Sequence, residues 1–335
     1  MVTRRLVALP LVLLGMTFIT FGLTHIVPGD PARLLAGPHA SPPQVAVLRH
    51  QYGLDQPLAR QYVTYMGDLL HGNLGESITT RRPVLDDLRQ FFPATIELTL
   101  SAMLIVVLLG IPLGVIGGIK RGRLPDHVTR LVSIAAVSIP VFWLGIILQI
   151  LFYQKTDLLP VGGRIDPSLL PPTRATGLYA LDALWSGDML ALRSSLSHLI
   201  LPAVTMAAGS VAVVTRMMRA SVVEVGGYDH VRTAEAKGLR PSLIIRRHVV
   251  GNAIIPVTTV LGLQVGSLLA GSILVEVVFS WPGIGLYGVN AIANLDFAAI
   301  MGVTLLVAVI YVVVNLLVDL GYLLLDPRIA DAQGG

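Results

Sequence analysis

Six long apolar runs separated by polar segments organise this chain of 335 residues. They cover residues 6–27, 94–119, 128–153, 198–218, 252–279 and 298–325. Each holds about 20 residues or more, the length a helix needs to cross the hydrocarbon of a bilayer. Spans made of open strands are excluded, because lipid leaves their backbone groups unsatisfied. The pattern therefore predicts an all-α integral membrane protein with six transmembrane helices. Runs longer than the minimum leave room for tilt. Pro140 and Pro202 are expected to bend the third and fourth spans. The first run follows Arg4 and Arg5, as the core of a signal peptide would. Its apolar length exceeds the usual ~7–15 residues, and no small-residue cleavage site follows, so it reads as a retained anchor.

The intervening segments carry the rest of the organisation. Residues 1–27 form the N-terminal tail and first span. Residues 28–93 form a long polar segment, expected on the extracytoplasmic side. Residues 94–325 form the transmembrane core with a polar loop at 219–251, and residues 326–335 are a tail. Within 28–93, Ser41 before Pro42 and Pro43 reads as a helix start. Val45, Leu48 and Tyr52 would share one face of that helix, and Gly53 would end it. In 155–197, Leu178, Leu181, Leu184 and Trp185 keep helical spacing. Asp182 and Asp188 make that stretch too polar to span, and it is expected at the membrane interface.

Composition agrees with lipid as the main solvent. Only 13% of residues are charged, against about 25% in soluble domains. The basic residues gather in short loops. Lys120, Arg121, Arg123 and Arg130 lie between the second and third runs, and Arg216, Arg219, Arg232, Lys237, Arg240, Arg246 and Arg247 between the fourth and fifth. The positive-inside rule places these loops, and both termini including Arg4, Arg5 and Arg328, in the cytoplasm. The net charge of +4 thus reflects loop bias rather than a nucleic-acid surface.

The loop at 219–251 is too charged for lipid. Its centre reads as a short helix beginning at Asp229 as N-cap, after the freely turning Gly226-Gly227 pair. Gly238 suits a left-handed C-cap, Pro241 prevents continuation, and Lys237 favours the negative helix end. Val231, Ala234 and Gly238 fall on one face. Two readings are open. The small-residue face could dock into a groove of another protein, or the helix could be a solvated connector.

Several chemistries are excluded. The absence of cysteine removes disulfides, thiolate metal sites and cysteine nucleophiles. A phosphate-binding P-loop needs Gly-Lys, but none of the three lysines, Lys120, Lys155 and Lys237, follows a glycine. His25, His198 and His248 lack metal-ligand spacing, and Ser77 and Ser280 lack a catalytic pattern. Catalytic and metal-binding residues are therefore none, and substrate-binding residues are unassigned. Ion-coupled carriers place ionisable groups near mid-membrane. Here Glu97, Glu276 and Asp319 lie near span ends, where they anchor an interface or join spans, or alternatively serve as a gate or substrate contact. Gly262, Gly266 and Gly271 with Ala270 suit close helix packing or a pathway lining.

The run Arg232-Thr233-Ala234-Glu235-Ala236-Lys237-Gly238-Leu239, followed by Arg247-His248 and Asn252-Ala253-Ile254-Ile255-Pro256, resembles the EAA loop of ABC importer permeases. It is most similar to the peptide/nickel branch. Other blocks resemble that branch in order: His25 to Ala32, Tyr52 to Leu58, Gly72 to Ser77, Glu276 to Gly285, Asn315 to Asp319, and Asp326-Pro327-Arg328. His230 stands where tyrosine is usual and Glu235 where arginine is usual. The resemblance implies a type I permease in the bacterial inner membrane. It implies a heterodimer with a second permease subunit, two cytoplasmic ABC ATPases that hold ATP and Mg, and an extracytoplasmic solute-binding protein. It implies no cofactor on this chain and no nucleic-acid partner. The segment from Asp229 through Val231, Arg232, Thr233, Ala234, Glu235 and Lys237 to Gly238 would be the ATPase-coupling helix. Di- and oligopeptides are the expected cargo, with nickel chelates, glutathione or another small solute as alternatives. A stand-alone secondary transporter or channel predicts mid-membrane charges, and an intramembrane enzyme predicts a catalytic pair; neither pattern is present.

Overall fold

The computed structural model describes the backbone of residues 2–26, 31–37 and 39–325, and leaves out the side chains of 2–9, 23–26, 31, 34, 35 and 318–325. The expectations for Arg4, Arg5, His25, Asp319, Arg328 and the tail 326–335 thus lie outside the described residues. Among those described, regular structure is helical apart from one bridge between Glu76 and Pro83. In chain order the helices are α1 (Val2–Ile26), α2 (Pro31–Ala36), α3 (Pro42–Gln51) and α4 (Leu58–Leu70). Then come α5 (Val84–Ile119), α6 (Leu124–Ser138), α7 (Val141–Gln154), α8 (Tyr179–Ser186) and α9 (Met189–Val225). The last are α10 (Asp229–Ala236), α11 (Pro241–Val278), α12 (Ile284–Ala293) and α13 (Phe297–Leu325).

Among the described residues, α5, α9, α11 and α13 are each long and apolar enough to cross a membrane. The third run departs from expectation. Residues 128–153 do not form one gently bent helix: α6 and α7 meet at 102°. Pro140 lacks the amide that would continue the helix and pushes the preceding residue out of the helical region. Ile139 accordingly sits at φ −87°, ψ 125°. Pro202, by contrast, lies inside α9 without interrupting it. The fourth and fifth runs extend beyond their apolar cores, because α9 and α11 carry polar turns at their ends.

The chain divides into two compact units. In the first, residues 1–93 with 283–313, Val84, Leu88, Ile284, Tyr287, Ala291 and Ala299 form the core. Gly302 lets α13 meet α5 closely, since a Cβ there would stand 2.5 Å from Val84 Cγ1. Ser41 caps α3 as expected: its amide donates to Gln44 Oε1 at 2.8 Å. Gly53 follows at φ +63°.

The second unit comprises 94–282 with 314–335. Its centre is α9, which buries residues along most of its 37-residue length. Gly110, Gly114 and Gly118 repeat every fourth residue along α5. A Cβ at each would stand 2.9, 2.5 and 2.6 Å from Val214, Met218 and Val222, which repeat at the same interval along α9. Small residues at this spacing let two helix backbones touch, which supplies dispersion contact where lipid offers no hydrophobic drive. Gly271 of the fifth run behaves differently: a Cβ there would meet nothing within 4 Å. Packing within this chain therefore does not require a glycine there.

Candidate functional site

Three residues after α9 ends, the chain enters α10 through a hydrogen-bonded turn at Gly226, Gly227 and Tyr228. The N-cap is Tyr228, at φ −75°, ψ 149°, rather than Asp229, which is the first helical residue. Asp229 still sits favourably, because a carboxylate in the first turn complements the helix dipole. The C-terminus follows expectation. Gly238 adopts φ +70°, and the amides of Gly238 and Leu239 donate to the carbonyls of Glu235 and Ala234. This is a Schellman closure, in which a residue without Cβ takes the left-handed position at no steric cost.

The face of α10 differs from the sequence-based expectation. Val231 and Ala234 are 3% and 4% exposed. They belong to the chain's own apolar cluster with Val222, Val225, Ile244 and Val249. The small-residue face is thus the seat of α10, not a surface open to another molecule. What remains exposed is a mostly polar side: Asp229, His230, Arg232, Thr233, Glu235, Ala236 and Lys237, together with Gly238 at the tip. Asp229 and Arg232 face each other at 3.7 Å, and Thr233 Oγ1 donates to the Asp229 carbonyl.

The seat itself is a π-type turn over Ile244–Val250 at the start of α11. Such a turn shifts the helical hydrogen-bond register and is common at functional sites. Here the His248 carbonyl accepts from the Asn252 amide at 2.7 Å and from His230 Nε2 at 3.2 Å. The acceptor fixes His230 as the Nε2–H tautomer in this contact. His230 also meets Tyr228 edge-on at 5.8 Å. This latch role escaped sequence reading, which registered His230 only as a departure from tyrosine. Beside α10 lies a hollow of about 550 Å3 lined by Glu235, Arg121, Val222 and Ile244 among others. Glu235 thus shares a recess with a cation, which makes an acidic residue there compatible with its surroundings.

The turn between α5 and α6 is fixed to α9 at this same end. Asp126, 1% exposed, takes a bidentate pair from Arg219 Nε and Nη2, and the Gly122 amide donates to it at 2.9 Å. The fork geometry of arginine makes this contact directional as well as attractive.

The opposite end of the second unit carries a different lock. Glu97 is 6% exposed, Glu276 and Trp281 at most 1%. Arg164 donates to Glu97 and, at 2.8 Å, to the Gly177 carbonyl. The Ala180 amide donates to the other Glu97 oxygen at 2.8 Å. The guanidinium lies 3.7 Å from the Tyr179 ring centroid. Thr95 donates to Glu276 at 2.8 Å, and Trp281 Nε1 to the Ala94 carbonyl at 2.8 Å. A Cβ at Gly162 would stand 2.5 Å from the Phe279 carbonyl oxygen. Glu97 and Glu276 are therefore absorbed in polar contacts between segments. Asp182 organises the same loop by accepting from the Thr176 amide and hydroxyl and the Gly177 amide, at 2.7–2.8 Å. Burial pushes its carboxyl upward, but these donors prevail and hold its pKa below the usual range. Asp188 caps α9 through the Ala191 amide. His198 Nδ1 donates to the Ser194 carbonyl at 2.8 Å, a structural contact.

In the first unit, Ser77 donates to Asp296 at 2.6 Å, and Asp87 accepts from Thr80 and, at 3.1 Å, from the Tyr287 hydroxyl. Ser77 serves as a hydrogen-bond donor between distant segments. Among the described residues no cluster of His, Cys, Asp and Glu has metal-binding geometry.

Two family models cover most of the chain. Residues 110–331 match the binding-protein-dependent transport system inner membrane component, and residues 1–99 match the N-terminal part of such membrane components. The chain is 49% identical over 331 residues to the probable D,D-dipeptide transport system permease protein DdpB of Escherichia coli K12, covering 99% of this chain and 97% of that one. It is 44% identical over 329 residues to the di/tripeptide transport system permease protein DppB of Pseudomonas aeruginosa, covering 98% of each. It is 36% identical over 328 residues to the glutathione transport system permease protein GsiC of Escherichia coli O6:H1, again covering 98% of each. A chain of apolar helices, with one short polar helix seated beside the end of α9, is thus matched over nearly its full length by transport permeases, and it belongs to the family of binding-protein-dependent transport system inner membrane components.

Proposed function

We propose that this chain is the permease subunit of an ATP-driven importer of di- and oligopeptides. It forms the translocation pathway with a second related permease, and α10 is the coupling helix seated on one of two cytoplasmic ATPases. Those ATPases hold ATP and Mg, and this chain binds no cofactor. A solute-binding protein delivers cargo from the other side. Six spans result when α1 is counted with α5, α9, α11, α13 and the bent α6–α7 pair, so both termini lie with α10 in the cytoplasm. The arginines and lysines beside α10 support that side.

One observation carries the reading: α10 is anchored from below and polar above. Val231 and Ala234 are used in the seat, so the exposed, mostly polar face is free to enter a partner groove without weakening the fold. Nucleotide binding favours the closed ATPase pair, and only a helix that stays docked passes that difference to the spans.

Reconstitution with both ATPases, the second permease and the binding protein tests the proposal. ATP-dependent uptake of a labelled dipeptide is expected, with glutathione as the competing cargo. The substitutions Arg232→Glu and Lys237→Glu on the polar face should lower ATPase retention and uptake together while the chain still inserts. Uptake without nucleotide, or full coupling in both variants, would overturn it.

A further inference from the structure

The first unit contains a cavity of about 500 Å3 whose lining the coupling mechanism does not use. It lies among α1, the turn after α3, α4, the 73–78 segment and the start of α13. Its volume falls in the range of small-molecule sites. Phe21, Tyr52, Tyr65 and Phe297 line it. Phe21 and Tyr65 stack at 6.1 Å, and Tyr62 backs Tyr65 at 6.4 Å. Burial raises the Tyr65 hydroxyl pKa, as does the neighbouring Tyr62, so Tyr65 stays uncharged.

Two carboxylates, Asp68 and Glu76, line the same cavity. Among the described residues neither side chain has a hydrogen-bond or ion-pair partner. A third carboxylate close by, Asp55, is taken up by His50 at 2.7 Å. Six arginines lie within residues 28–93, yet none lines the cavity; the basic side chain in the lining, His50, is paired with Asp55. Aromatic faces and unpaired carboxylates both attract a cation, and an anion would meet repulsion from each. Asn73 and Gln56, also in the lining, offer amides that match a peptide bond. A single lysine side chain from a docking protein would leave most of this volume empty, whereas a whole short peptide fits it.

We propose that this cavity binds a short peptide by its α-ammonium group, held by Asp68 and Glu76 against the aromatic wall. The inference rests on the peptide-import reading for its choice of amine, and it adds a peptide site carried by the permease itself.

The test uses the assembled complex in nanodiscs without its binding protein. Calorimetric titration compares dialanine, N-acetyl-dialanine and propylamine. Dialanine and propylamine should bind and the acetylated peptide should not, a comparison that needs no substitution. Asp68→Asn combined with Glu76→Gln should weaken dialanine binding by about tenfold or more, as loss of charge-assisted contacts implies. Equal binding of free and acetylated peptide, unchanged affinity in the double variant, or no binding of either amine overturns the inference. Binding-protein-dependent uptake of dialanine, measured alongside, separates the two readings. Uptake without cavity binding defeats this inference alone, and propylamine binding without any peptide uptake defeats the peptide reading alone.

Discussion

Replacing Val231 by alanine is the sharpest probe of how α10 is held. Val231 is 3% exposed, and the change deletes two methyl groups from the apolar cluster. At roughly 0.8 kcal/mol for each group, the transfer loss is about 1.6 kcal/mol. The incompletely filled space brings the total to about 2 kcal/mol. α10 has only eight residues, too few to be helical alone, so folding and seating are one event. A loss of that size raises the unseated population about thirtyfold. Hydrogen exchange at the amides of residues 235–239 should quicken by that factor, while the amides of α9 keep their rates. Arg232→Ala is the control. Its ion pair with Asp229 joins side chains 72% and 96% exposed, and such surface pairs contribute little. Exchange should then change less than twofold. Unaltered exchange in Val231→Ala, or equal acceleration in Arg232→Ala, would refute the claim that two buried side chains seat the helix.

Other expectations address the rest of the second unit. Gly114→Ala places a Cβ 2.5 Å from Met218 Cβ and 2.7 Å from the Thr215 carbonyl oxygen. It should cost about 1–3 kcal/mol by overpacking, whereas Gly209→Ala, with nothing within 4 Å, should be close to neutral; thermal unfolding in detergent distinguishes them. Glu97→Gln strands the buried Arg164 charge and should destabilise by about 3–5 kcal/mol, with much of that recovered on adding Arg164→Met. A melting temperature unchanged in the single variant would contradict that account. Asp182 has a folded pKa below its unfolded value of about 3.9, so its stabilisation is complete above that pH and is lost as pH falls through the folded value. Amide protection at Thr176 and Gly177 should hold at pH 6 and decline only below about pH 4, and Asp182→Asn should remove it at both.

Much of this was readable from periodicity and punctuation. The apolar runs mark the cores of α5, α9, α11 and α13, and Gly53 and Gly238 end their helices where a left-handed residue is needed. The same reasoning missed the 102° corner at Pro140, because a proline in an apolar run reports a lost amide but not where the chain goes next. It also reversed the face of α10. Small residues at i, i+3 and i+7 mark close approach, but the approaching surface was the chain's own π-type turn, a register shift without a clear sequence sign. The Arg164–Glu97 contact joins residues 67 positions apart, beyond any local pattern. The Gly110, Gly114 and Gly118 repeat does carry the close-packing pattern in the sequence, but its partner, the Val214, Met218 and Val222 row of α9, lies about a hundred residues away.

The unbroken course of α9 has a mechanical consequence. At 37 residues and about 1.5 Å per residue, it is a strut of about 55 Å with α10 tethered to one tip and the α8 loop to the other. Bonded turns leave little slack at the α10 joint, and the glycine repeat clamps a second helix along its flank. In the proposed coupling role, a push on α10 enters α9 at its tip and travels along one continuous helix, with Pro202 the point where a backbone hydrogen bond is missing.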